Sequence, residues 1–208
     1  LSFETIEAAA GIIQARHPLL RSRIVVGKWK RVEFLSCETP IPVVKEPLPS
    51  SREEYTRTLE DHQQQRFNTE AGPLCRLIFF SGDTGVCLAM VLHHSIADGV
   101  CGAHLMDALL TAAEDIVKGY SPDVTPQKVL PPAEALFEKR YGGLRSLAKT
   151  LWGMSTLGAS KLLLRRFHFM PFDARVPANE RCQHFILKEL DQSTTALLLK
   201  KARRRGTS

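Results

Sequence analysis

The chain contains no apolar run long enough to span a bilayer, and no signal-peptide pattern opens it. Its five cysteines (Cys37, Cys75, Cys87, Cys101 and Cys182) are odd in number and never fall in Cys-x-x-Cys spacing. That argues against a disulfide framework or a zinc ribbon, and for free thiols in a reducing, cytoplasmic compartment. No Gly-rich phosphate loop is present, so nucleotide-dependent chemistry has no support. Neither Ser95 nor Cys101 sits in a nucleophile-elbow pattern, and Cys101 reads as a small buried thiol rather than a nucleophile. The net charge of +6 comes without an aromatic-interleaved basic stripe, which leaves nucleic acid unsupported as a partner. There is no internal repeat and no low-complexity tract. What remains is an ordinary globular composition: 44% hydrophobic and 24% charged over 208 residues, enough for one domain or two small ones.

Local signals divide the chain. Ser2 can cap a helix with Ile6, Ala9, Ala10 and Ile13 at helical spacing, ended by Pro18. Residues 21–26 and 29–35 read as a hairpin around Gly27 and Lys28, and prolines 40, 42, 47 and 49 read as an extended loop. Ser51 and Glu54 form a capping box that opens a polar helix to about Gln65, with Tyr55, Leu59 and His62 as its inward positions. Runs 74–80 and 86–92 are almost continuously apolar and read as central strands covered on both faces. A helix then runs from Gly99 to about Val117 on Leu105, Met106, Leu109, Leu110 and Ile116, stopped by Gly119. Residues 181–190 read as a strand, and Asp191 caps a last helix, 193–205.

The stretch with chemical content is Val91-Leu92-His93-His94-Ser95-Ile96-Ala97-Asp98-Gly99. Histidine is the side chain whose ordinary pKa lies nearest working pH, so a histidine at a rigid strand end is a natural general base. Adjacent strand residues point to opposite sides, so one ring faces a site while the other packs inward. His93, His94, Asp98 and His104 can also be written as metal ligands, but no second cluster completes zinc spacing, and no metal is expected.

The His-His-x-x-x-Asp-Gly pattern resembles the signature of the chloramphenicol acetyltransferase superfamily, which includes peptide-synthetase condensation domains and several O-acyltransferases. Arg16-His17-Pro18-Leu19-Leu20-Arg21 is similar to its Arg-His-x-x-Leu-Arg box, and Phe67-Asn68-Thr69-Glu70-Ala71-Gly72-Pro73-Leu74 to its Phe-Asp-x-x-x-Gly-Pro-Leu segment, with Asn68 in place of the aspartate. The resemblance implies a two-layer α/β sandwich and transfer of an acyl group from a thioester. It gives His94 the role of general base, with His93, Asp98, Gly99 and Arg21 structural. Asp98 is expected to pair with Arg21 or Arg23, and Gly99 to keep the substrate path open. No bound cofactor is implied; acyl-CoA or a phosphopantetheine-linked acyl thioester is the co-substrate. Pro18 ranks a hydroxyl acceptor ahead of an amine, leaving amide-forming condensation as the alternative. A non-catalytic lobe that holds a carrier protein is the rival from another class.

The position of the box implies a two-lobed protein. Residues 1–120 read as an amino-terminal acyltransferase lobe, 121–180 as a proline-containing linker and basic helical region, and 181–208 as a strand and helix crossing toward a second lobe. The start reads as clipped. The basic residues between Lys139 and Arg166 read as a solvated face, or as a dock for an acidic acyl carrier protein; a membrane-surface helix is the less favoured reading.

Overall fold

The computed structural model describes residues 1–28, 31–129, 131, 151–156, 176–177, 180–182 and 184–207. The chain divides into two compact units, Leu1–Leu48 with Phe67–Arg181, and Pro49–Arg66 with Cys182–Ser208. The basic region expected over 133–169 lies outside the described residues, apart from a helical stretch at 151–156.

The first unit is a mixed α/β arrangement, as the resemblance implied. Helix α1 (Phe3–Arg16) is capped by Ser2, whose hydroxyl accepts from Thr5 N–H, and buries Ile6, Ala9, Ala10 and Ile13. A 3-10 turn, Pro18–Arg21, leads into β1 (Ser22–Val26), which pairs antiparallel with β2 (Val32–Ser36). The residues expected as a proline loop contain a further strand, β3 (Val43–Pro47), parallel to β4 (Cys75–Gly82). Pro47 is tolerated because β3 is an edge, where a missing N–H breaks no inner ladder. β4 is central, with Leu77 to Phe80 buried on both faces. β5 (Gly85–Leu92) pairs antiparallel with β4 but, among the described residues, is the other edge of a three-stranded sheet and only half-buried, which corrects its expected central position.

Helix α3 (Gly99–Lys118) packs on α1, and both bury their apolar faces in one core with β4. Phe3 meets Phe79 edge to face at 5.8 Å across the two layers. Within α3, Leu105, Leu109, Ala112 and Ala113 are buried; Leu110, expected inward, and Cys101, expected buried, are exposed, the latter in the first turn of the helix. Gly119 ends α3 at φ 74°, a left-handed position that glycine takes without cost. A segment through Pro122 and Gln127 then runs along the end of α1: Gln127 N–H donates to Arg16 O at 2.8 Å, and Arg16 pairs with Asp123 at 3.5 Å.

The second unit contains α2 (Arg52–Gln64) and α4 (Gln192–Arg204). Ser51 caps α2, accepting from Glu54 N–H, while Glu54 accepts from Ser50; His62 is buried and Tyr55 and Leu59 are half-buried. Asp191 caps α4. The described residues of 181–190 form no strand. The Phe185 N–H donates to the Glu60 carboxylate at 2.7 Å instead of joining a ladder.

Candidate active site

Strand β5 delivers the two histidines into a six-residue turn before α3. His93 N–H donates to Leu74 O (2.9 Å), which extends the β4–β5 ladder one step past Leu92. Ile96 N–H then donates back to His93 O at 3.0 Å, and the Ile96 side chain, 8% exposed, anchors the turn in the core. Asp98 closes it. Its carboxylate accepts from Cys101 N–H at 2.8 Å as the N-cap of α3. That bond to the Cys101 N–H holds the exposed Asp98 carboxyl below the usual aspartate value.

The hydrogen bonds of this turn assign the two rings to opposite tautomers. The His94 Nδ1 lies 3.0 Å from Ala97 O. A carbonyl only accepts, so in the neutral ring Nδ1 carries the proton and Nε2 keeps its lone pair. The exposed His94 ring thus presents an acceptor nitrogen. His93 is the reverse. Its Nδ1 accepts from Ser95 N–H at 3.3 Å and lies 2.7 Å from Ser95 Oγ, so the neutral ring carries its proton on Nε2. His93 is half-buried and meets Phe67 edge to face at 6.1 Å; the Arg76 guanidinium lies over the Phe67 ring, 4.5 Å from its centre. Burial pulls the Arg76 guanidinium below the usual arginine value.

The expected pairing of Asp98 with Arg21 or Arg23 is not formed. The Asp98 carboxylate is engaged by the α3 amide, Arg23 donates to Glu70 O at 3.1 Å, and the Arg21 Nε is buried without a partner. Gly99 opens α3 directly after the Asp98 cap. A Cβ built there meets nothing within 4 Å, so no neighbour in the lobe demands glycine. The third sequence box is a brace for the first hairpin. Thr69 O accepts from Ile24 N–H at 2.7 Å, and Asn68 Oδ1 accepts from Ala71 N–H at 3.2 Å, so asparagine serves the turn as an aspartate would. Gly72, at φ 65°, lets this segment close on the hairpin: an added Cβ would lie 2.9 Å from Cys37 Sγ and 3.1 Å from Ser22 O.

Beside the turn, α1, the 3-10 turn and α3 enclose a cavity of about 720 Å³, within the usual size of small-molecule sites. Its walls include Ile12, Leu19, Leu105 and Ala108, with Ile96 and Cys101 where it meets the His94 turn. His94 itself is not on its wall. His17, from the first sequence box, lines it with Nε2 buried and unpartnered; burial and the adjacent Arg16 hold the ring's pKa below the ordinary histidine value. Sequence reasoning missed Phe67, Ser95 and the Ala97 carbonyl as parts of the site. Ser95, two residues from His93, was the local signal available. Among the described residues no three His, Cys, Asp or Glu gather to hold a metal ion, and no helix is long and apolar enough to cross a membrane.

A strand end that feeds a capped helix on a mixed sheet defines an α/β lobe, and solved structures share this fold. The first condensation domain of the calcium-dependent antibiotic synthetase, in complex with a substrate analogue, superposes with TM-score 0.60 at 17% identity, over 80% of this chain and 40% of that one. The X-domain from teicoplanin biosynthesis, in its complex with OxyB, gives 0.59 at 23% identity, over 86% and 39%. The chain belongs to the condensation-domain family, whose model matches residues 1–131. Among curated proteins, a linear gramicidin synthase of Brevibacillus parabrevis is 27% identical over 135 residues, and polyketide synthase PksN of Bacillus subtilis (strain 168) is 26% identical over 120. These matches span 61% and 57% of this chain but 3% and 2% of those proteins.

Proposed function

We propose that this lobe contributes the general base for acyl transfer from a carrier-held thioester to an amine or a hydroxyl. The observation that carries the reading is the fixed tautomer of His94, an exposed ring with Nδ1–H committed to Ala97 O and Nε2 left to accept a proton. In the reaction Nε2 takes the proton of the attacking N–H or O–H as its heteroatom bonds to the thioester carbon. The tetrahedral intermediate collapses by breaking the C–S bond, and His94 returns the proton to the departing thiolate. Atoms and charge balance with no covalent enzyme intermediate. Positioned proton transfer of this kind contributes roughly 10²–10⁴-fold.

Pro18 ranked the hydroxyl acceptor first, but kinship with a peptide synthetase supports the amine at least as well. The relatives named as synthases support a donor held as a phosphopantetheine thioester on a carrier domain, rather than free acyl-CoA. Acidic carrier protein, second lobe and hydroxyl or amine acceptor are the partners this reading requires. The test uses the polypeptide containing this chain, acyl groups loaded on carrier protein or CoA, and amine and hydroxyl acceptors. Product mass is followed for the native protein and His94→Ala. Amide or ester formation that falls by about 10²-fold or more in His94→Ala supports the reading. Transfer indifferent to His94→Ala overturns it, and carrier binding without transfer moves the protein to the non-catalytic class.

A further inference from the structure

We propose that Phe67 is a positioning residue for the base, holding the His93–Asp98 turn so that the His94 Nε2 is presented in one orientation. The inference rests on the acyl-transfer reading. His93 and His94 share a peptide unit, so any rotation of the first ring's backbone reorients the second. The His93 backbone is held by Leu74 O and Ile96 N–H, and its ring by Ser95, itself exposed. The second hold on the ring is aromatic. Phe67 presses edge to face on His93 with planes 78° apart, and Arg76 backs Phe67 on its face, where the ring quadrupole attracts a cation. Arg76 is not loose: it sits on β4 opposite Val91 in the ladder that carries β5 toward His93. Phe67 is held from the other direction, because the segment that follows it is tied to β1 through Thr69 O and Glu70 O. The column therefore runs from the hairpin to the base turn without touching the reacting atoms. That gives the third sequence box a purpose in catalysis distinct from contacting substrate.

The readout is the tautomer of each ring, which ¹⁵N spectra of histidine-labelled protein report directly. The native protein is expected to show His93 as a single Nε2–H form and His94 as a single Nδ1–H form. Phe67→Leu keeps apolar bulk but removes the ring. It is expected to leave His94 as a mixture of tautomers and to lower kcat by about tenfold at unchanged donor KM, the scale of one lost aromatic pair. Phe67→Tyr keeps the ring edge and is expected to restore both. Should Phe67→Leu fail to fold, Phe67→Met, which keeps apolar bulk without a ring, carries the test on the same spectra. A native-like His94 tautomer and native kcat in Phe67→Leu, or in Phe67→Met if that variant must be used, overturn the proposal while leaving a His94-dependent transfer intact. Tautomers that respond as stated in a protein with no transfer activity sink the acyl-transfer reading and keep the positioning.

Discussion

Replacing Gln14 with leucine removes three hydrogen bonds at once from the inner face of α1. Gln14 is 8% exposed; its Nε2 donates to Thr39 O at 2.8 Å and to Leu20 O at 3.3 Å, and its Oε1 accepts from Ile41 N–H at 3.2 Å. One side chain thus ties α1 to the end of the 3-10 turn and to the run before β3. Each such bond contributes about 1 kcal/mol net, and a buried group left unpaired costs about 1–3 kcal/mol. Leucine recovers about 1–2 kcal/mol by apolar burial. The expected loss in Gln14→Leu is therefore about 2–4 kcal/mol, read as a fall in urea midpoint at unchanged slope, monitored by circular dichroism. The Ile41 amide is expected to exchange with solvent faster as well. Gln14→Glu separates the donors from the acceptor. It keeps the partner of Ile41 N–H but faces two carbonyls, so its folded pKa is raised above the ordinary value of about 4.3. A raised folded pKa gives stability that is full below the unfolded value and lost as pH climbs through the folded one. This variant should approach native stability near pH 4 and fall behind at pH 7. A Gln14→Leu midpoint within about 0.5 kcal/mol of native would refute the reasoning, because three simultaneous losses cannot hide in that margin.

Gly72→Ala forces a side chain into the left-handed region and against Cys37 Sγ and Ser22 O; a loss of about 2–4 kcal/mol is expected by denaturation, partly relieved in a Cys37→Ala background, and no relief would show that the backbone contacts dominate. Gly99→Ala should leave the melting temperature unchanged, since its Cβ meets nothing; a melting loss of several degrees would contradict the open geometry, and a loss of transfer alone would show that the space belongs to substrate. In native protein, iodoacetamide should label the exposed Cys101 and Cys182 well before Cys75, whose thiol burial pushes up to about 12; early labelling of Cys75 would refute its burial. The Asp191 carboxyl, held down to about 2 first by the Ser193 hydroxyl and then by Thr194 N–H, stabilises α4 above its ordinary range, and that stability is lost as pH falls from about 4 through 2; the Thr194 amide shift should report the transition there, and a midpoint near 4 would mean that the cap is not formed.

How much of this was legible depends on the range of the forces. The helix caps at Ser2, Ser51 and Asp191 and the stop at Gly119 are settled within four residues, and the sequence displays them. The His94 turn is equally local, because its Nδ1 meets Ala97 O three residues away. The Gln14 bonds were not. Its partners lie 6, 25 and 27 residues on, and two of them are carbonyls that every residue carries. β3 was masked by its prolines, since propensity speaks for the isolated chain and edge pairing overrides it. Alternation over 181–190 gave a false strand because pattern reports which face could be buried, not whether a neighbour exists to bond it. Asp98 found its partner in the nearest amide rather than in a distant guanidinium, and charge complementarity alone could not rank those two.

The parallel pairing of β3 with β4 sets an order of assembly. Val43 meets Leu77, so β3 leaves the ribosome 34 residues ahead of its partner. At synthesis rates of about 5–20 residues per second, the strand waits roughly two to seven seconds with both edges bare. Its composition suits that interval: Lys45, Glu46 and Pro47 make its second half a poor template for stray pairing. During that wait the three residues act as gatekeepers against another exposed strand pairing where β4 belongs.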